Sequence, residues 1–231
     1  MATEKVYIYK AYERFWHWTQ AFLVLFLALT GFEIHGSLHL FGFETAVTLH
    51  NNAAWAFIIL TIFTIFWHFT SGEWRQYLPT TKNLRAQAEY YIFGIFRNAP
   101  HPTRKTILSK LNPLQRLVYL SLKILIFPVM IITGLAYMYF RYVKDGEVVS
   151  LGIESLEKVA LAHTLGAFFL VAFVIVHLYL ITTGHTITSN LKAMLTGWEE
   201  MEAEEGEIPE SKTVKDPVGK KLDEPDDPEK I

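Results

Sequence analysis

Four long apolar runs dominate the pattern of hydrophobic and polar positions along the chain. They cover about residues 15–34, 46–69, 117–139 and 159–183. A helix needs about 20 predominantly apolar residues to cross the hydrocarbon core of a bilayer, and each run is about that long or longer. The pattern therefore predicts an all-α integral membrane protein, built as a bundle of four transmembrane helices.

The polar segment between the second and third runs contains one shorter amphipathic stretch. Its apolar positions share one helical face: Leu84, Ala88, Tyr91 and Ile95. Such a face is typical of a helix that lies along the membrane surface. Two prolines within residues 98–102 are expected to end it.

The chain also carries a weak internal repeat. Thr30-Gly31 in the first run recurs as Thr133-Gly134 in the third, and an arginine precedes each run's apolar core. The repeat suggests two helical hairpins packed face to face.

Composition restricts the chemistry and divides the chain. The 231 residues carry a net charge of −2 and include no cysteine. This chain therefore cannot form disulfides, bind iron–sulfur clusters or zinc through thiolates, or attach haem covalently. Residues 199–231 carry 13 Asp and Glu against 5 Lys and have few apolar residues. We therefore expect a membrane domain over residues 1–198 and an acidic, disordered tail over residues 199–231.

Basic residues predict the orientation, because cytoplasmic loops of membrane proteins are enriched in Lys and Arg. Eleven Lys and Arg precede the first run or lie between the second and third runs, whereas three lie between the third and fourth. The connection between the first and second runs has none. Both termini are therefore expected on the cytoplasmic side of a bacterial or archaeal inner membrane.

Four histidines within the runs are the candidate chemistry. His163 and His177 are fourteen residues apart, which places them on one helical face about 21 Å apart. In the predicted orientation, His17 lies at the cytoplasmic depth of His177, and His50 lies at the periplasmic depth of His163. Two histidines at one depth can bind a haem iron from both sides. The pattern therefore predicts two haems b, whose iron ligands are His17 with His177 and His50 with His163.

His68 leaves another pairing open. It lies eighteen residues after His50, which is five full helical turns, so His68 could pair with His177 in place of His17. In the preferred pairing, His68 instead lies further toward the cytoplasm, beside a quinone site. Intramembrane histidines can also be packing residues or parts of a proton pathway, although such a pathway would more often include buried Asp or Glu.

Short motifs accompany these histidines along the chain. They are Arg14-Phe-Trp-His-Trp18, Leu29-Thr-Gly31, Leu49-His50, Lys110-Leu-Asn-Pro-Leu-Gln-Arg116, Thr133-Gly134, the His163/His177 spacing and the segment Leu191–Gly197. Through them, over about residues 5–198, the chain resembles the cytochrome b (gamma) subunits of membrane-bound formate dehydrogenases. The b-type cytochromes of nickel–iron hydrogenases and thiosulfate reductases are similar as well.

The resemblance implies a ligand set, partners and a quinone site. In that family four histidines ligate two haems b, a partner iron–sulfur subunit delivers electrons to the periplasmic haem, and quinone is reduced beside the cytoplasmic haem. Asn112 matches a family residue that lines the quinone pocket. Further candidate quinone contacts are Gln115, Lys110 and His68. Asn112 and Pro113 equally fit a helix start, as N-cap and first helical residue, and both roles can coexist.

We therefore interpret the chain as an electron-transfer subunit of an oxidoreductase complex. It would pass electrons across the membrane between a partner subunit and the quinone pool, menaquinone or ubiquinone. The expected partners are iron–sulfur and catalytic subunits, quinone and membrane lipid, and not nucleic acid. A quinone-independent haem relay and a haem-free membrane anchor or transporter are the alternatives. The sequence leaves the fuel, the quinone type and the direction of electron flow open.

Overall fold

The computed structural model describes residues 3–97, 99–103, 109–142, 153–184 and 186–202. The chain divides into two units. The larger unit, Lys5–Glu199, holds every helix given below. The smaller unit combines Met1–Glu4 with Glu200–Ile231.

Two long helices form the first hairpin. Helix α1 spans Ala11–Ile34 and helix α2 spans Phe43–Ser71, and both are long and apolar enough to cross a membrane. Helix α2 begins after Gly42 and ends before Gly72, whose φ angles are 84° and 76°. Only glycine adopts such angles without steric cost, so these two residues fix the limits of the helix.

A buried carboxylate orders the connection between α1 and α2. Glu33 is 4% exposed, and its Oε1 accepts hydrogen bonds from the three backbone amides of residues 40–42 at 2.6 to 3.0 Å. These amides precede the first turn of α2, where a negative charge is favourable. The connection therefore enters α2 in a fixed geometry.

The surface segment after α2 is helical in pieces. It contains a 3-10 helix at Glu73–Tyr77, helix α3 at Leu84–Glu89, a π-helical turn at Tyr90–Gly94 and a 3-10 turn at Ile95–Arg97. The four apolar positions predicted to share a face are all partly buried. The rest of the segment is mostly exposed, as expected for a surface helix.

The second hairpin is formed by the third and fourth membrane helices. Helix α4 (Pro113–Ser121), a π-helical turn (Leu122–Ile126) and helix α5 (Phe127–Tyr142) follow one another without a break. Helix α6 spans Ile153–Ile181, and a short helix α7 at Ser189–Thr196 follows it. Candidate membrane spans in this half are residues 113–139 and 156–181.

The helices pack as the internal repeat suggested. Helix α1 contacts mainly α2, helix α5 contacts mainly α6, and α2 also meets α5. The buried apolar core is small: Leu23, Ala53, Phe57, Leu60 and Phe127. Large apolar side chains such as Phe66 and Phe169 are instead 67% and 62% exposed. An apolar outer surface suits a lipid environment, and the predicted four-helix membrane fold is confirmed.

Two short strands join the ends of the membrane domain. Strand β1 (Thr3–Tyr7) and strand β2 (Trp198–Glu202) form a two-stranded sheet. A disordered tail is predicted from residue 199, whereas residues 199–202 belong to strand β2. Backbone pairing explains the difference, because it does not depend on apolar side chains. Residues 203–231, the rest of the predicted tail, lie outside the described residues.

Candidate functional site

His17 and His177 meet at the end of the bundle where α1 begins. Their ring centroids are 6.1 Å apart, with an interplanar angle of 51°. Other rings surround them: Phe173 stacks on His177 at 5.5 Å, Tyr119 meets His177 edge-on at 6.4 Å, and Trp18 meets His17 at 5.1 Å. The pair therefore lies in an aromatic environment that restricts access of water.

His50 and His163 meet toward the opposite end of the bundle. Their ring centroids are 6.4 Å apart, with an interplanar angle of 67°. Helix α6 contributes His163 to this pair and His177 to the other, and fourteen residues of helix separate the two by about 21 Å. The structure thus brings together the histidines that the sequence analysis paired by depth.

Two threonines orient the rings of the His50/His163 pair. Thr30 Oγ1 lies 2.9 Å from His50 Nδ1, and Thr133 Oγ1 lies 2.8 Å from His163 Nδ1. Each hydroxyl also donates to the carbonyl four residues before it in its own helix, at 2.9 Å and 2.6 Å. The hydroxyl oxygen therefore accepts the proton of Nδ1–H. This assignment leaves the Nε2 lone pair of each imidazole free for a metal.

The histidine ring also lies beside the glycine that follows each threonine. A Cβ on Gly31 would lie 3.5 Å from His50 Cε1, and a Cβ on Gly134 would lie 3.4 Å from His163 Cε1. The two Thr-Gly motifs are therefore equivalent in structure as well as in sequence. The hydrogen bonds of these threonines were not predicted from the sequence. The repetition of the Thr-Gly motif was the feature that could have indicated them.

Each histidine pair fits the axial ligand set of a b-type haem. Two metal–nitrogen bonds of about 2 Å each, added to the half-widths of two rings, match the centroid separations of 6.1 Å and 6.4 Å. Among the described residues, no cluster of three or more His, Cys, Asp or Glu could hold a metal ion. A lone ion would have only two histidine ligands at either pair, whereas a porphyrin supplies four nitrogens of its own.

His68 lies apart from both pairs. Its Nδ1 is 2.7 Å from the Thr64 carbonyl oxygen, and its Nε2 is 3.3 Å from both the Tyr77 hydroxyl and Lys123 Nζ. His177 contacts His17, and both ring nitrogens of His68 have other contacts, so the pairing of His17 with His177 stays the preferred prediction. Lys123, a lone basic residue within the third apolar run, was not among the predicted site residues. An ionisable residue at membrane depth was the signal that could have found it.

Asn112 and Gln115 cap helix α4. Asn112 Oδ1 accepts from the Gln115 amide at 2.8 Å, and Gln115 Oε1 accepts from the Asn112 amide at 3.0 Å. Asn112 Nδ2 donates to a tyrosine hydroxyl at 2.8 Å. The capping role is therefore present in full, and a quinone contact of either side chain would add to it.

Lys110 belongs to an ion-pair cluster. Its Nζ lies 2.8 Å from Glu13 and 3.2 Å from Glu73, and its side chain is 5% exposed. Burial alone would oppose ionisation of Glu73. The hydrogen bond from Lys10 and the charge of Lys110 outweigh burial and hold the pKa of Glu73 below its usual range. This cluster ties the start of α1 to the 3-10 helix that follows α2.

This sequence is similar to known proteins over most of its length. Residues 8–197 match the family described as prokaryotic cytochrome b561. The chain is 28% identical over 200 residues to "Putative cytochrome YdhU" of Escherichia coli (strain K12), which covers 84% of this chain and 75% of that protein. It is 27% identical over 194 residues to "Probable Ni/Fe-hydrogenase B-type cytochrome subunit" of Rhizobium leguminosarum bv. viciae, which covers 76% of this chain and 80% of that protein. No solved structure matches it.

The family match includes all four membrane helices and both histidine pairs. It agrees with the predicted membrane cytochrome b and with an electron-transfer role. It does not single out the formate dehydrogenase or thiosulfate reductase subunits, so that narrower resemblance stays a prediction. With 190 of its residues, 8–197, inside the family match, this chain belongs to the prokaryotic cytochrome b561 family.

Proposed function

We propose that the chain is a di-haem cytochrome b subunit that carries electrons across the membrane between a partner oxidoreductase subunit and the quinone pool. The observation that carries this proposal is the pair of facing histidines toward each end of the membrane domain, with ring centroids 6.1 Å and 6.4 Å apart. Two ligand pairs about 21 Å apart along one helix are suitably spaced for a relay across a bilayer.

The protein's own residues would bind and orient the cofactor at each pair. A bound haem supplies a reversible one-electron couple. The four histidines would hold two such groups, His50 and His163 through Nε2, and two imidazoles on each iron would leave no position open for oxygen chemistry. Thr30 and Thr133 keep the ring proton on Nδ1 in one pair, and aromatic side chains limit water around the other.

The partner is inferred from the relatives and from the resemblance. The name of the Rhizobium relative supports a hydrogenase-like catalytic partner, and the gamma-subunit motifs support an iron–sulfur subunit as the electron donor. The distribution of Lys and Arg supports cytoplasmic termini. On this orientation, the His17/His177 pair lies on the cytoplasmic side and the His50/His163 pair on the periplasmic side.

Quinone would bind on the cytoplasmic side, near the start of α4. The amide of Asn112 can donate a hydrogen bond to a quinone carbonyl, and Gln115 adjoins it. The resemblance supports this position. The cap geometry shows only that Asn112 is held in place at the start of a membrane helix.

A redox spectrum of the purified chain tests the proposal. We expect a b-type reduced-minus-oxidised spectrum with two haems per chain, and re-oxidation of the reduced haems by a short-chain quinone that a quinol-site inhibitor blocks. A chain that binds no haem would contradict the proposal and favour a membrane anchor. Haems that load but exchange no electrons with quinone would contradict its quinone part and favour a relay between protein partners.

A further inference from the structure

A basic side chain without an acidic partner lies inside the third membrane helix. Lys123 is partly buried within the π-helical turn Leu122–Ile126, and π-helical turns inside helices are frequent at functional sites. Within the described ranges, no carboxylate lies within ion-pair distance of Lys123. A charge at membrane depth is costly unless its surroundings stabilise it. The contacts of Lys123 therefore determine whether its charged form is stabilised.

The contacts of Lys123 are those of a site for one proton. Its Nζ lies 3.3 Å from His68 Nε2, 3.7 Å from the centroid of the Tyr77 ring and 4.8 Å from the centroid of the Trp16 ring. Aromatic faces attract an ammonium group. His68 Nδ1 lies 2.7 Å from the Thr64 carbonyl oxygen, so Nδ1 carries the ring proton and Nε2 offers a lone pair to the ammonium. Both groups cannot be cationic at this separation, because like charges repel.

This site is separated from the His17/His177 pair by one layer of side chains. Trp16 precedes His17 in α1, and its ring contacts His68 at 5.4 Å between centroids. Tyr119, one turn before Lys123, contacts His177 at 6.4 Å. Aromatic rings occupy the space between the two groups, so charges on either side interact more strongly than they would in solution.

We propose that Lys123 and His68 form a proton-binding site that is charge-coupled to the cofactor held by His17 and His177. This inference rests on the proposed haem at that pair. A negative charge added at the His17/His177 pair would favour the protonated form of the site, which would take up one proton from water. Removal of that charge would release the proton.

Polar side chains lie near the site, toward the bundle end where α1 begins. The Tyr77 hydroxyl lies 3.3 Å from His68 Nε2. Burial, with the nearby charge of Glu13, raises the pKa of Tyr77, so the phenol stays neutral. Tyr77 shares its 3-10 helix with Glu73, which pairs with Lys10 at 2.7 Å, and the Lys10 side chain is 52% exposed. Water is thus within reach of the far end of this polar cluster.

Other ionisable groups face the site from the elements packed around it. They are Tyr9 before α1, Glu13 of α1, Glu73 and Tyr77 of the 3-10 helix, Lys110 of the loop before α4, and Tyr119 of α4. The two carboxylates already pair with Lys10 and Lys110. The charge of the site itself is therefore the one that changes most readily when a nearby electron is added.

Potentiometric titration of both haems at several pH values tests the inference. The haem held by His17 and His177 is identified as the one that is lost in His177→Ala. In the wild-type chain its reduction potential should fall as the pH rises, because the proton is lost and the nearby positive charge disappears. Lys123→Met should lower this potential at acidic pH and remove the pH dependence, and His68→Gln should reduce the pH dependence. Lys192→Met, which removes an exposed lysine of α7, should behave as the wild type.

The result that overturns the inference differs from the one that overturns the proposed function. Haem content and visible spectra are measured first, and a wild-type chain that loads no haem fails the proposed function itself. Two loaded haems with the same pH dependence in wild type, Lys123→Met and His68→Gln would overturn the proton site alone. A pH-independent wild type would do the same. If Lys123→Met loads no haem, the comparison of His68→Gln with wild type decides the question.

Discussion

Replacing Thr133 by valine tests how the protein holds a cofactor at His163. Valine has nearly the volume of threonine but lacks the hydroxyl. Thr133 Oγ1 lies 2.8 Å from His163 Nδ1 and 2.6 Å from the Val129 carbonyl oxygen, and Thr133 is 9% exposed. The valine would therefore leave the Nδ1–H of His163 inside the bundle without its acceptor, while the packing around it changes little.

The expected loss of haem affinity follows from the role of the Thr133 hydroxyl. Loss of a hydrogen-bond partner behind a metal-binding histidine typically weakens metal affinity by about 10- to 100-fold, which corresponds to roughly 1.4 to 2.8 kcal/mol. Transfer of haem from the purified chain to an excess of apo-globin measures the effect. In Thr133→Val, one of the two haems should leave faster by about that factor, and the other should leave at the wild-type rate.

Two further variants show whether the hydroxyl or the packing matters. Thr133→Ser keeps the hydroxyl and should lose haem at nearly the wild-type rate. Thr61→Val removes a threonine hydroxyl that donates to the Phe57 carbonyl oxygen at 2.8 Å but has no histidine partner, so both haems should stay in place. Equal haem release from Thr133→Val and the wild type would refute the orienting role of the hydroxyl.

Three more predictions concern the ion-pair cluster, the closing segment and the start of α4. Lys10 and Lys110 hold the pKa of Glu73 below its ordinary value of 4.5. The stability that these ion pairs contribute is therefore present at neutral pH and is lost as the pH falls through the lowered pKa. In Glu73→Gln, thermal unfolding measured against pH should show a smaller loss of stability in acid. Gly197→Ala should destabilise the domain by about 1–2 kcal/mol, measured by thermal unfolding, because residue 197 has a φ of 90° and a Cβ would lie 2.8 Å from a backbone carbonyl oxygen. Asn112→Ser keeps a side-chain cap for α4 but lacks the amide donor, so quinone turnover of the intact complex should fall while haem content stays at two; unchanged turnover would leave Asn112 as a cap only.

The membrane helices could be predicted from the apolar runs, and the start of α4 from Asn112 and Pro113, but the first turn of α1 could not. The first run starts at about residue 15, whereas α1 starts at Ala11. The extra turn includes Glu13 and Arg14, whose polarity argues against a membrane segment. In the fold Glu13 accepts from the Lys10 amide at 2.7 Å, and Arg14 donates to the Leu195 carbonyl oxygen at 2.7 Å. A local cap and a contact with a distant residue, neither of which depends on apolar side chains, therefore accompany the start of the helix.

The histidine pairs were predictable because helix geometry fixes both the direction and the rise of each residue. The contacts around these histidines could not be predicted. The contact between Thr30 and His50 joins two helices and depends on how closely α1 and α2 pack. Lys123 was missed because one basic residue changes the hydropathy of a long apolar run very little. Its contact with His68 joins α2 to the third membrane helix, and only the packing of the two hairpins creates it.

Strand β2 was not predicted because its composition is acidic. Sequence reasoning takes low hydrophobicity and high charge as signs of disorder. The structure instead pairs this segment with strand β1 through the backbone. Just before β2, the amides of Ile8 and Tyr9 donate to the Gly197 carbonyl oxygen at 2.8 Å and 3.2 Å. Such bonds leave no signature in the side chains of residues 198–202.

Counting haems in histidine variants tests the central claim most directly. The purified wild-type chain should contain two low-spin haems b. The variants His17→Ala and His50→Ala should each contain one, and the two remaining haems should differ in their spectra and reduction potentials, because each variant keeps a different pair. Two low-spin haems in His17→Ala, or one wild-type haem that is lost in both variants, would contradict the account.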